Sequence, residues 1–238
     1  MKIYLLIKRI INKPLPNLTK IMIIMGFFLT LVQVNRVGGS VVANALSNIH
    51  KLTPAEIGVV IGVMFLSSAL VQIPFGIMLD RFGARRMIVG WSSVAIIGMV
   101  IFGLAETSSG LTVGRTLIGI GHGASITGVY LLALAWASPE RVASVAATTI
   151  AVAGALGGMI GTAPLAAAIE YLGFTKTFLY LAVFSLVSSI LIWFFVNDKP
   201  LGTRTENTKE HPKAAIMGLF KVIKDRNLWP IFAMALCF

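Results

Sequence analysis

Long apolar runs alternate with short polar punctuation along this chain, on a scale far longer than the repeat of a soluble amphipathic helix. Six runs, near 20–46, 57–79, 87–105, 110–136, 142–169 and 175–196, carry almost no charge, and a seventh opens near Leu228. As helices, each of the six is long enough to cross the ~30 Å hydrocarbon core of a bilayer. Uninterrupted runs of this length predict an all-α membrane protein, because a lone helix satisfies its own backbone in lipid. The pattern divides the chain into a basic amino-terminal segment (1–19), a six-helix bundle (20–196), a polar linker (197–227) and the truncated start of a seventh helix (228–238). Lys8, Arg9 and Lys13 interrupt the first apolar stretch and Pro14 and Pro16 follow, which argues against a cleavable leader. Met1–Lys13 reads instead as a short basic segment lying on the membrane surface, with the first span as an uncleaved anchor.

Composition agrees and removes other classes. Hydrophobic residues make up 57% of the chain and charged residues 12%, with a mean hydropathy of +0.88, which is far from a soluble balance. The net charge of +11 does not predict a nucleic-acid partner, because the basic residues flank apolar runs and form no single basic face. Instead they sort by side. Lys2, Lys8, Arg9, Lys13 and Lys20 precede the first span; Arg81, Arg85 and Arg86 follow the second; Arg141 follows the fourth; Lys199, Arg204, Lys209, Lys213, Lys221, Lys224 and Arg226 follow the sixth. Only Lys51 and Lys176 fall on the other side, so the amino terminus and the 197–227 linker are predicted to be cytoplasmic. One cysteine, Cys237, leaves no intrachain disulfide. No nucleophile elbow, phosphate loop or His/Cys cluster appears, so the sequence predicts no enzyme, cofactor or metal.

The connection between the second and third spans carries the most information. Gly76-Ile77-Met78-Leu79-Asp80-Arg81-Phe82-Gly83-Ala84-Arg85-Arg86 packs four charges and two glycines between apolar runs. This G-x-x-x-D-R-x-G-x-R-R pattern resembles the signature loop of the major facilitator superfamily. At the start of the fourth span, Gly114-Arg115 followed by Gly119, Gly121 and Gly123 resembles the second signature of that family. The resemblance covers nearly the whole chain but about half of the family's fold. It implies the amino-terminal half of a twelve-helix secondary transporter of the inner membrane, whose carboxy-terminal half is missing here. It also implies that Asp80 is a gating element meeting that half, with Gly76, Arg81, Gly83, Arg85 and Arg86 as the rest of the motif.

Several polar residues sit inside spans, where they are costly unless they face water or a partner. At 100° per residue, Gln33, Arg36, Ser40, Asn44 and Ser47 share one arc of the first helix. One reading lines a central cavity with them and gives Arg36 an anionic group of the substrate, through a bidentate guanidinium contact; the other satisfies Arg36 on helix carbonyls and a polar neighbour. The placement resembles the helix-1 arginine of the organophosphate:phosphate antiporter branch. Arg115 and His122 are seven apart on one face with Ser125 close by, and read either as substrate or proton-coupling groups or as interhelical hydrogen-bond donors. On the fifth helix, Ser144, Thr148, Ala151, Ala155, Gly158 and Thr162 form a small-residue face expected to pack against a neighbouring helix, as do Gly58 with Gly62 and Gly119 with Gly123. No carboxylate lies near a span's middle. The resemblance and the six spans together imply a secondary transporter in contact with membrane lipid, and Arg36 makes its expected substrate a small, anionic organic solute. The alternatives are a transporter-like sensor without flux, an inactive truncated fragment, and, through Gly154, Gly157, Gly158, Gly161 and Pro164, a drug:proton antiporter.

Overall fold

A computed structural model describes residues 17–198 apart from Ala124, and the side chains of Ile73 and Asp80 are not described either. The basic amino-terminal segment before Asn17, most of the linker and the start of the seventh helix lie outside the described residues. Nine helices are found among those that are described: α1 (Asn17–Val37), α2 (Gly39–Ile49), α3 (Pro54–Phe82), α4 (Ala84–Leu104), α5 (Ser108–His122), α6 (Ser125–Trp136), α7 (Val142–Ile160), α8 (Ala163–Leu172) and α9 (Phe174–Phe195). They make six elements long and apolar enough to cross a membrane, in the places the hydropathy pattern predicts. Two of these elements, the first and fifth, are broken. The breaks fall at Gly38 and at Gly161–Thr162, each at a glycine inside an apolar run.

Local chemistry sets the helix ends. Thr53 and Glu56 form a capping box at α3, with Pro54 at its first turn. Thr107 accepts the Gly110 amide at 3.2 Å to start α5. Gly83 ends α3 and starts α4 at φ 84°, ψ 154°, and Gly173 ends α8 and starts α9 at φ 89°, ψ 158°. Both lie where only glycine is comfortable, so each permits a helix to reverse without an intervening loop.

The bundle is built on small residues. Gly98 and Gly114 let α4 and α5 touch through their backbones, and Gly121 seats against Ala95 and Trp91. Gly119 and Gly123 bring α5 against Met64, Ser67, Ser68 and Val71 of α3, as their spacing predicts. Ser92 of α4 and Ser189 of α9 share a hydrogen bond of 2.7 Å in the interior. At one end, Phe102, Phe174 and Phe178 stack with centroids 4.7–5.3 Å apart, and His50 packs edge-on to Phe174. At the other end, the Trp136 indole donates to the Asn197 carbonyl at 2.8 Å. Phe194 is 71% exposed and Phe195 62%, large apolar faces that only lipid or another apolar partner covers.

The fifth element packs on the opposite face from the one its sequence suggests. Ser144, Thr148, Ala151, Ala155 and Thr162 are exposed, and Gly158 has nothing within 4 Å of its Cβ direction. The packed seam is Ala146, Ala153, Gly157 and Gly161, set against Thr30, Gln33 and Val34 of α1. Both faces are small, so periodicity could not choose between them. Gly58 and Gly62 are likewise open, not packed.

Candidate functional site

Arg36 lies one residue before the end of α1, beside the break at Gly38, and is half-buried. Its Nη2 donates to the Ser68 hydroxyl of α3 at 3.2 Å. Gly38 itself is pressed against Leu165 and the Gly161 carbonyl, so the breaks of the first and fifth elements adjoin. Beyond the break, Ser40, Asn44 and Ser47 are exposed, as the arc predicts. Gln33 is different: it is half-buried and its side chain packs on Gly157 of α7. The stripe is therefore an open polar face from Ser40 to Ser47, with Arg36 at its inner end and Gln33 turned into the helix contact. Ser68, which holds the guanidinium, was not singled out in the sequence, because the hydroxyl lies 32 residues away and nothing in its spacing marks it.

Arg115 sits elsewhere. Only 1% of it is exposed. Its Nη1 donates to the Asn35 carbonyl at 3.1 Å and lies 3.2 Å from the Met64 sulfur, while its guanidinium stacks 4.7 Å from the Phe102 ring centre. One side chain thus ties α1, α3 and α4 to α5. The Asn35 carbonyl lies three residues before the break at Gly38, where a helix has carbonyls to offer. Nε and Nη2 of Arg115 have no partner among the described residues.

His122, 2% exposed, closes α5 with its ring edge-on to Phe28 at 6.2 Å. Its Nδ1 has no described partner, and the Ser125 hydroxyl donates to its carbonyl at 2.8 Å. Arg115 and His122 do share one buried face, but neither lies on the open polar face that Ser40, Asn44 and Ser47 form. Among the described residues, no group of three or more His, Cys, Asp or Glu side chains is placed to hold a metal.

The signature loop is built at the end that also holds Asn17, Trp136 and Asn197. The Arg85 amide, in the first turn of α4, donates to the Asp198 carboxylate at 2.6 Å. Arg85 Nη1 donates to Asn197 Oδ1 at 3.3 Å, and its guanidinium lies 5.1 Å from the Trp193 ring centre. Arg81 stacks 5.2 Å from the Phe82 ring centre; Arg81 and Arg86 are exposed, and nothing lies within 4 Å of the Cβ direction of Gly76. Asp198 thus caps a helix that begins 114 positions earlier, a role that its place at the head of a polar linker does not reveal.

Six membrane-crossing elements, reversals without loops and arginines gathered at one end define an integral, multi-pass membrane protein. The chain belongs to the Major Facilitator Superfamily, whose family model matches residues 21–238, and that is a family of transporters and not of enzymes. It is 30% identical over 142 residues to an uncharacterized transporter of Buchnera aphidicola, covering 59% of this chain and 35% of that protein. It is 27% identical over 215 residues to the Arabidopsis thaliana protein named "Probable anion transporter 5", covering 87% and 47%. A crystal structure of a bacterial homologue of the human lysosomal transporter Spinster superposes with a TM-score of 0.69 at 17% identity, covering 91% of this chain and 51% of that one; it shows the shared fold. The chain thus spans about a third to a half of the length of these relatives.

Proposed function

We propose that this chain is the amino-terminal half of a secondary transporter that moves a small anionic organic solute by alternating access. The observation that carries the reading is Arg36, a half-buried guanidinium inside a membrane-crossing element, at the head of an open polar face. A charge in that position is costly in a bilayer unless it faces water, a partner or a ligand. Ser68 takes one N–H of the five that a guanidinium offers. That leaves enough donors for the two parallel hydrogen bonds that a carboxylate, sulfonate or phosphate accepts. The Arabidopsis relative, named for anion transport, supports the same charge class.

In this reading the open face of Ser40, Asn44 and Ser47 is half of a cavity, completed by a second six-helix unit. Substrate binds between the halves and is exposed to each side in turn as they rock. Asp80 belongs to the inner gate, and Arg115 is an interior tie between helices. The amino terminus and the linker face the cytoplasm of a bacterial-type inner membrane, following the distribution of basic residues.

The test is uptake of labelled phosphate, a dicarboxylate and a sulfonate into proteoliposomes by the transporter completed with its second half. Arg36→Lys keeps the charge but loses the planar fork and is expected to weaken uptake; Arg36→Gln is expected to nearly abolish it. Unchanged uptake by Arg36→Gln would refute the anion reading.

A further inference from the structure

A groove of about 720 Å³ opens between the start of α1 and the end of α9. Its mouth is polar, with Asn17, Lys20 and Asn197, and its walls are apolar, with Ile23, Leu191 and Phe194 among them. Ile23 is 57% exposed and Phe194 71%, so the walls are open to whatever surrounds the bundle. Trp136 closes one side, held in place by its hydrogen bond to the Asn197 carbonyl.

We propose that this groove binds one anionic phospholipid, with its phosphate at Lys20 and an acyl chain along Ile23, Leu191 and Phe194. Two features on this end of the bundle favour that occupant. Lys20 is exposed at the mouth, and the Arg85 guanidinium, bonded to Asn197 Oδ1, adds a second cation on the far side of that residue. The neighbouring carboxylate, Asp198, is engaged by the Arg85 amide at the start of α4. A free anion would satisfy the mouth and leave the apolar wall bare. A zwitterionic lipid would satisfy the wall but bring its own cation towards Lys20. An anionic phospholipid satisfies both.

One lysine near an anionic headgroup is worth about 1 kcal/mol, or roughly fivefold in occupancy. The inference needs only that the chain spans a membrane, and it stands apart from the anion-transport reading. It is tested on the chain itself, in symmetric vesicles, so that orientation does not matter. Vesicles of phosphatidylcholine receive a fixed minor fraction of brominated phosphatidylglycerol, or the same fraction of brominated phosphatidylcholine. Bromine quenches tryptophan fluorescence on contact, and the Trp136 contribution is obtained by difference from Trp136→Phe.

Brominated phosphatidylglycerol is expected to occupy the Trp136 site about fivefold more readily than brominated phosphatidylcholine. Lys20→Gln should clearly reduce that preference and Lys20→Arg should retain it. Native mass spectrometry of the parent and Lys20→Gln supplies a second measurement that needs no tryptophan substitution: the parent should retain phosphatidylglycerol over phosphatidylcholine, and the variant should do so less. Equal quenching by the two lipids in the parent, or an undiminished preference in Lys20→Gln, overturns the proposal.

Discussion

Gly83→Ala is the most informative single change. Gly83 adopts φ 84°, ψ 154°, a region that is essentially closed to residues with a Cβ and costs them about 1–3 kcal/mol. A Cβ there would also lie 2.6 Å from Asp198 Oδ2 and 2.8 Å from Asp198 Cγ. Neither distance is tolerable, so the carboxylate must move and release the Arg85 amide that it holds at 2.6 Å. Losing a helix cap of this kind costs about 1 kcal/mol. The two effects together predict a loss of about 2–4 kcal/mol, measured as SDS-induced unfolding of the purified chain in mild detergent. The cap and the strain separate in a double-mutant cycle. In an Asp198→Ala background, Gly83→Ala should cost only the backbone strain, so the two changes together should cost less than their sum. Gly90→Ala is the control. Gly90 lies in α4 with nothing within 4 Å of its Cβ direction, so alanine there should stabilise by about 0.5–1 kcal/mol. If Gly83→Ala unfolds no more readily than Gly90→Ala, the reasoning from backbone conformation and from the Asp198 contact fails together.

Gly157 and Gly158 are adjacent but opposite: Gly157→Ala should destabilise by about 1–3 kcal/mol through overpacking on Thr30 and Gln33, and Gly158→Ala should be neutral or stabilising in the same unfolding assay. Single cysteines at Ser108 and Thr205, with Cys237 replaced, should be labelled from opposite sides of the membrane; labelling of position 108 only from the cytoplasm would overturn the proposed orientation. Asp80→Asn should leave insertion intact, because Arg81, Arg85 and Arg86 still set orientation. It should stop transport by the completed transporter, and full activity would remove the gating role.

The six crossings were legible because hydrophobic length is a one-dimensional property, and charge marks where each run stops. Their interruptions were not. A glycine inside an apolar run reads equally as a close contact or a break, and Gly38 and Gly161 are each both. The fifth element shows the limit of periodicity, since α7 carries small residues on two opposite faces and only its neighbours decide which is covered. Arg36 and Arg115 look alike in sequence, each a lone arginine within a span. They differ in what lies across from them: a hydroxyl beside an open face for Arg36, and a carbonyl, a thioether and a ring for Arg115. Ser68 and Asp198 were invisible for the same reason. Each acts on a partner far away in the chain, and no local pattern announces such a contact.

The matching conformations of Gly83 and Gly173 carry a consequence for how charge and shape are divided in this chain. Each glycine reverses one helix into the next, each follows an acidic residue by three positions, as Asp80 and Glu170, and each precedes a basic one by three, as Arg86 and Lys176. One reversal lies at the end with Asn197 and Asp198, the other at the end with His50, whose ring packs on Phe174. The Gly173 turn thus repeats the backbone of the Gly83 turn at the opposite end of the bundle. A turn serving both sides of a membrane cannot keep the same charge on both, because arginine-rich connections are retained on one side only. The chain keeps the backbone and changes the side chains: Arg81 and Arg85 in one copy correspond to Tyr171 and Thr175 in the other. The two turns share a backbone shape and differ in the few positions that carry charge.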